Sequence, residues 1–222
     1  MTTKEAAKLF CVMTVANDLV QYGEMRRSLA KSGFTEDCCR FVLFDNSSGN
    51  AHEPYSAINR TLNEAAEPYV IACHQDILPD QGPGIDQLVA QIALLNAKHS
   101  NWAVAGNCGG KSNFSEIYHL HDPNGFHLYA ADLCLHAAEC GKQSFVIGFY
   151  FMHLSGSNID SDHFKAGLRE LQQHWNPTFA VSLARTPCIF FYLSRSAWSA
   201  RAEAPYEAGA SRLQSLARAP KV

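Results

Sequence analysis

The stretch Tyr69-Val70-Ile71-Ala72-Cys73-His74-Gln75-Asp76 decides how this 222-residue chain is read. A strand-sized apolar run, rich in residues that fit a pleated surface, ends abruptly on three polar side chains. The same pattern occurs three more times. Residues 9–15 run into Ala16-Asn17-Asp18, residues 41–44 into Asp45-Asn46-Ser47-Ser48, and residues 102–106 into Asn107-Cys108-Gly109-Gly110.

Helical periodicity fills the gaps. Asp18 is placed to cap a helix over 18–32, with Leu19, Tyr22, Met25, Arg26 and Leu29 on one face. Residues 53–66 space Tyr55, Ile58, Leu62 and Ala65 helically, and residues 85–97 do so with Ile85, Leu88, Val89, Ile92 and Leu95. Buried strands alternating with amphipathic helices predict an α/β domain whose central sheet is mainly parallel, covered on both faces. In such a sheet ligands bind beyond the carboxyl ends of the strands. Asn17, Asp45, the His74-Gln75-Asp76 triplet and Asn107 all fall on that rim.

The second half reads less regularly. Residues 129–140 predict a helix with Leu133, Leu135 and Ala138 inward and Gly141 as its stop. Residues 145–152 predict a strand ending on His153, residues 154–158 a loop, and residues 162–173 another helix. An aromatic run follows Pro187, then an Ala/Arg/Glu-rich tail. The expected organisation is one domain over 1–195, with a first half over 9–110 and a second over 111–195. Residues 196–222 form a peripheral helix or tail.

Composition narrows the function. With 47% hydrophobic residues the chain can bury a core, and a net charge of −3 argues against nucleic acid or an anionic membrane as the main partner. The polar start lacks a signal-peptide core, and the longest apolar run, 145–152, is far below transmembrane length. A cytoplasmic protein without a transmembrane segment is the expectation. None of the eight cysteines forms a CxxC pair, which predicts reduced thiols rather than a zinc or disulfide framework.

Neither a Walker A motif nor a GxGxxG turn is present to hold phosphate. A divalent metal on a rim carboxylate is the remaining route, and Asp76 is the best-placed acid. The competing reading of Asp76 is a strand-end aspartate satisfying turn donors.

Three segments resemble the family-2-like GT-A glycosyltransferases, in the variant with HQD where DxD is usual. They are Tyr55-Ser56-Ala57-Ile58-Asn59-Arg60 with Glu64-Ala65-Ala66, the run from Tyr69 through Ile77, and the later block at 126–137 continuing through 141–156. They occur in the family's order and span most of 9–158. The resemblance implies a three-layer αβα sandwich of GT-A type. It implies that Asp76 binds a divalent metal (Mn²⁺ or Mg²⁺) bridging the diphosphate of a nucleoside diphosphate sugar. His74 would be a ligand or contact the ribose, Gln75 would lie at the donor site or brace it, and His153 would approach the metal or diphosphate. Val15, Ala16 and Asn17 would line the base pocket, Asp45 would accept from base or ribose, and Asn59 would seat the nucleotide or brace the rim. Asp132 would be the catalytic base of an inverting, single-displacement transfer.

Between 110 and 126 the chain is shorter than that family's usual stretch, so the acceptor half is expected to be reduced. Two functions follow: transfer of a sugar to a glycan, lipid-linked or protein hydroxyl, or a catalytically weak GT-A domain that binds nucleotide or glycan. A nucleotidyltransferase would want a Gly-rich, basic first loop, which Val15-Ala16-Asn17-Asp18 is not.

Overall fold

In the computed structural model, residues 7–82, 84–110, 117–119, 128–154, 162–178, 182–185 and 190–193 are described. The expected tail at 196–222, the loop over 155–158, and His121 and His127 lie outside them.

Strand β1 (Phe10–Ala16) is the centre of a parallel three-stranded sheet, flanked by β2 (Cys39–Asp45) and β3 (Tyr69–Ala72). Helix α1 (Leu19–Lys31) connects β1 to β2, and α2 (Pro54–Glu64) connects β2 to β3. Asp18 caps α1 as expected, its carboxylate accepting from the N–H groups of Val20 and Gln21. Helix α3 (Gly84–Lys98) leads to β5 (Trp102–Gly106), which pairs in parallel with β8 (Gln143–Val146). Three small antiparallel pairs complete the described strands: β4 (Ile77–Leu78) with β9 (Met152–His153), β6 (Cys108–Gly110) with β7 (Ile117–His119), and β10 (Ser182–Arg185) with β11 (Phe190–Leu193). Helices α4 (Leu128–Glu139) and α5 (Asp162–Trp175) belong to the second half. No helix among the described residues is long and apolar enough to cross a membrane.

Alternation along β1 sorts the core onto two faces. Phe10 and Val12 join Met25 and Leu29 of α1, Phe34, and Leu88, Ile92 and Leu95 of α3. Met13 joins Phe44 and, from α2, Ala57 and Ile58, with Val15 and Leu133 of α4 packed against them. Helices therefore cover both faces of a parallel sheet, as the apolar strands predicted.

Helix phases differ from expectation in places. Leu19 and Leu62 are exposed, while Ser28 and Thr61 are buried. Thr61 can sit inward because its hydroxyl donates to Ala57 O at 2.8 Å, so no polar group is stranded. On α4, Ala137 is buried and Ala138 exposed, one position from the predicted stripe. Gly141 does stop α4. It takes φ +68, with Gly141 N bonding Ala138 O and Lys142 N bonding Ala137 O, which closes the helix end.

The single strand expected over 145–152 is two. Ile147 N donates to Gly106 O, and Phe149 N then turns back onto Ile147 O at 2.9 Å, breaking the ladder between β8 and β9. This break frees Met152 and His153 to pair with β4, an element the sequence pattern did not reveal.

Candidate metal centre

Past the end of β3, Cys73 N still donates to Met13 O at 3.0 Å, so the chain leaves the sheet at His74. Gln75 then fixes the turn. Its Oε1 accepts from the N–H groups of Asn17 (2.8 Å) and Asp18 (3.0 Å), and its Nε2 donates to Asn17 Oδ1 (2.7 Å) and Gln21 Oε1 (3.3 Å). The amide joins the end of β3 to the β1–α1 junction, which is the bracing alternative for this residue. Both its polar atoms are engaged within the fold.

His74 and Asp76, on either side of Gln75, come together, with His74 Nδ1 3.7 Å from Asp76 Oδ1. Asp76 enters β4, where Ile77 lies opposite His153 of β9 and Leu154 N donates to Asp76 O at 3.0 Å. That pairing brings His153 Nε2 to 3.3 Å from Asp76 Oδ1 and sets the two imidazoles edge to face, 5.5 Å between centroids. Ligand atoms from all three residues lie within 4.8 Å of one another. The side chains of Asp76 and His153 are 7% and 5% exposed and that of His74 is 26%, so the cluster opens on the His74 side.

The donor set suits a divalent cation. Around an ion with bonds of about 2.1 Å, neighbouring donors sit roughly 3.0–3.4 Å apart, and the two Asp76 separations are close to that. Two imidazoles and a carboxylate leave further coordination positions open, a composition that favours first-row transition ions over purely oxygen-seeking ones. Cys73, next in the chain to His74, does not add a soft ligand. Burial pushes its thiol up to about 11, and its Sγ lies 3.4 Å from Thr14 Oγ1 and 3.7 Å from Met25 Sδ.

The remaining rim residues separate. Asp45 pairs in register with Ala16, and Asn46 N donates to Ala16 O at 2.7 Å. Hydrogen bonds from the Ser47 side chain and backbone N–H hold the exposed Asp45 carboxyl below the usual carboxylate range. Of the residues expected at the base pocket, Ala16 is fully buried, Val15 is partly buried against the core, and Asn17 and Asp45 are exposed. Asn59 is on the exposed face of α2, off the inward stripe of Ala57, Ile58 and Thr61. Asn107, just past the end of β5, has a buried side-chain nitrogen with no hydrogen-bond partner among the described residues.

Asp132 is not part of the metal-ligating group. Its Oδ1 accepts from the Trp175 indole N–H at 2.6 Å, and its Oδ2 lies 3.5 Å from His136 Nε2. Burial, and after it the Asp132 charge, push the Tyr55 phenol up to about 12. Tyr55 is in the first turn of α2, shortly after the carboxyl end of β2. The sequence singled out Asp132, Asp76 and His153, but it left His74 ambiguous and missed Trp175, which lies two residues past the helix expected over 162–173.

No protein family model matches the chain. The chain is similar to a protein of Fuscovulum blasticum described as ATP synthase subunits region ORF 6, with 28% identity over 218 aligned residues, covering 79% of this chain and 86% of that protein.

Proposed function

We propose that this chain is a metal-dependent glycosyltransferase with a GT-A sandwich, moving a sugar from a nucleoside diphosphate sugar to a hydroxyl on a glycan, lipid-linked or protein acceptor. The observation that carries the reading is the convergence of His74, Asp76 and His153 beyond the end of β3. It lies where a parallel α/β sheet binds ligands. Helices on both faces of the sheet support it further.

In this reading His74, Asp76 and His153 hold a divalent cation. When bound, the cation supplies positive charge opposite a departing diphosphate. Asn17 and Asp45, at the ends of β1 and β2, take the base and ribose, and Asp45 stays an acceptor because Ser47 holds it ionised. Gln75 keeps this rim and the metal ligands in fixed relation. Asp132 accepts the proton of the attacking hydroxyl, a single displacement that inverts the anomeric centre.

The test is a panel of nucleoside diphosphate sugars, assayed for binding and hydrolysis with Mn²⁺ and with chelator. Binding that needs the metal and weakens in Asp76→Asn supports the donor site. Nucleotide binding indifferent to metal, or none, removes it.

A further inference from the structure

We propose that Trp175 is a positioning residue for the Asp132 carboxylate, an inference that rests on the reading of Asp132 as the proton acceptor. Trp175 is the last residue of α5 and is 1% exposed. A buried indole N–H needs an acceptor, and here it donates to Asp132 Oδ1 at 2.6 Å. A donor on so rigid and enclosed a ring defines where that oxygen sits.

The second oxygen is treated differently. Asp132 Oδ2 faces His136, one turn along α4, at 3.5 Å, and the His136 side chain is half exposed. The His136 ring stands edge to face on the Trp175 indole, 4.7 Å between centroids, and His174 does the same at 5.0 Å. The carboxylate thus has one oxygen anchored in the core and one directed toward the more open side. A carboxylate on a helix turns about two side-chain bonds, and proton abstraction demands placement within a fraction of an ångström. The indole removes that freedom at Oδ1 and leaves Oδ2 as the reacting atom.

The experiment uses the full chain with Mn²⁺ and whichever of UDP-glucose, UDP-N-acetylglucosamine and GDP-mannose it hydrolyses fastest. Trp175→Phe keeps most of the ring and deletes the donor. Its kcat is expected to fall about 10-fold, with KM for the donor within about twofold of the parent. Trp175→Phe combined with Asp132→Asn is expected to be no slower than Asp132→Asn alone. Full kcat in Trp175→Phe, or a loss that multiplies onto that of Asp132→Asn, overturns the inference. An independent arm reads the indole N–H resonances of the ¹⁵N-labelled protein: Asp132→Asn is expected to shift the one that Trp175→Phe deletes. If all three indole resonances stay where they are in Asp132→Asn, the inference is overturned even where Trp175→Phe fails to fold. Undiminished turnover in Asp132→Asn overturns the base reading and this inference with it, while Mn²⁺-dependent nucleotide binding still stands or falls separately.

Discussion

His153 Nε2 is 3.3 Å from Asp76 Oδ1 because the residue after Asp76 is the strand partner of His153 itself. Two donors distant in sequence are thus set by backbone pairing rather than by side-chain reach. Either His153→Ala or Asp76→Asn is expected to weaken Mn²⁺ binding by more than about 100-fold. His74→Ala, removing the most exposed of the three, should cost less. Titration calorimetry with Mn²⁺ checks the order, and equal affinity in all three variants refutes the centre.

Gln75→Ala takes away one acceptor shared by two backbone N–H groups and one donor shared by two side chains. A loss of about 1–2 kcal/mol is expected, since the Asp18 N–H is partly shielded from water. Chemical denaturation measures it. Gln75→Glu keeps the acceptor but sets a carboxylate against Asn17 Oδ1, and it should recover only part of the loss.

Gly84 has φ +73, and a Cβ there would lie 2.6 Å from Ser32 O. Ile85 N already donates to that carbonyl at 2.8 Å, so the backbone has little room to retreat. Gly84→Ala is expected to destabilise by more than about 1 kcal/mol through both strain and the clash. A thermal midpoint equal to the parent's would contradict this geometry.

Arg40 grips Glu67 with two parallel bonds, Nε to Oε1 at 2.7 Å and Nη2 to Oε2 at 3.0 Å. The Arg40 hydrogen bond holds the Glu67 carboxyl below its usual range. A depressed carboxyl contributes stability that is present above its unfolded pKa and is lost as pH falls through the folded one. Denaturant midpoints should therefore drop as pH is lowered from about 5, and Arg40→Ala should flatten that limb. The slope persisting unchanged in Arg40→Ala would assign the acid sensitivity elsewhere.

Period and punctuation made the sheet and its helices legible. Apolar runs ending on Asn17, Asp45 and His74 marked β1, β2 and β3, and Asp18 and Gly141 announced helix ends that the structure closes as expected. The phases of α1 and α2 were less legible, because Ser28 and Thr61 go inward on hydrogen bonds that hydrophobicity does not encode. At the site, Asp76 and His153 could be singled out, but their contact depends on the two-residue pairing of β4 with β9, too short to leave a periodic signal. Trp175 went unread because the expected helix stopped at 173, two residues before it, and an indole shows no polar role until its N–H is traced to Asp132.

The β4–β9 pairing also sets a timetable. His74 and Asp76 are synthesised with the first half of the chain, whereas His153 arrives only after α4 and β8. A nascent chain that has folded β1, β2 and β3 therefore exposes two donors, a weak chelate at most. The third donor docks only when β9 reaches β4, so a metal held by this group would bind late in folding and would report that the two halves of the chain have found each other.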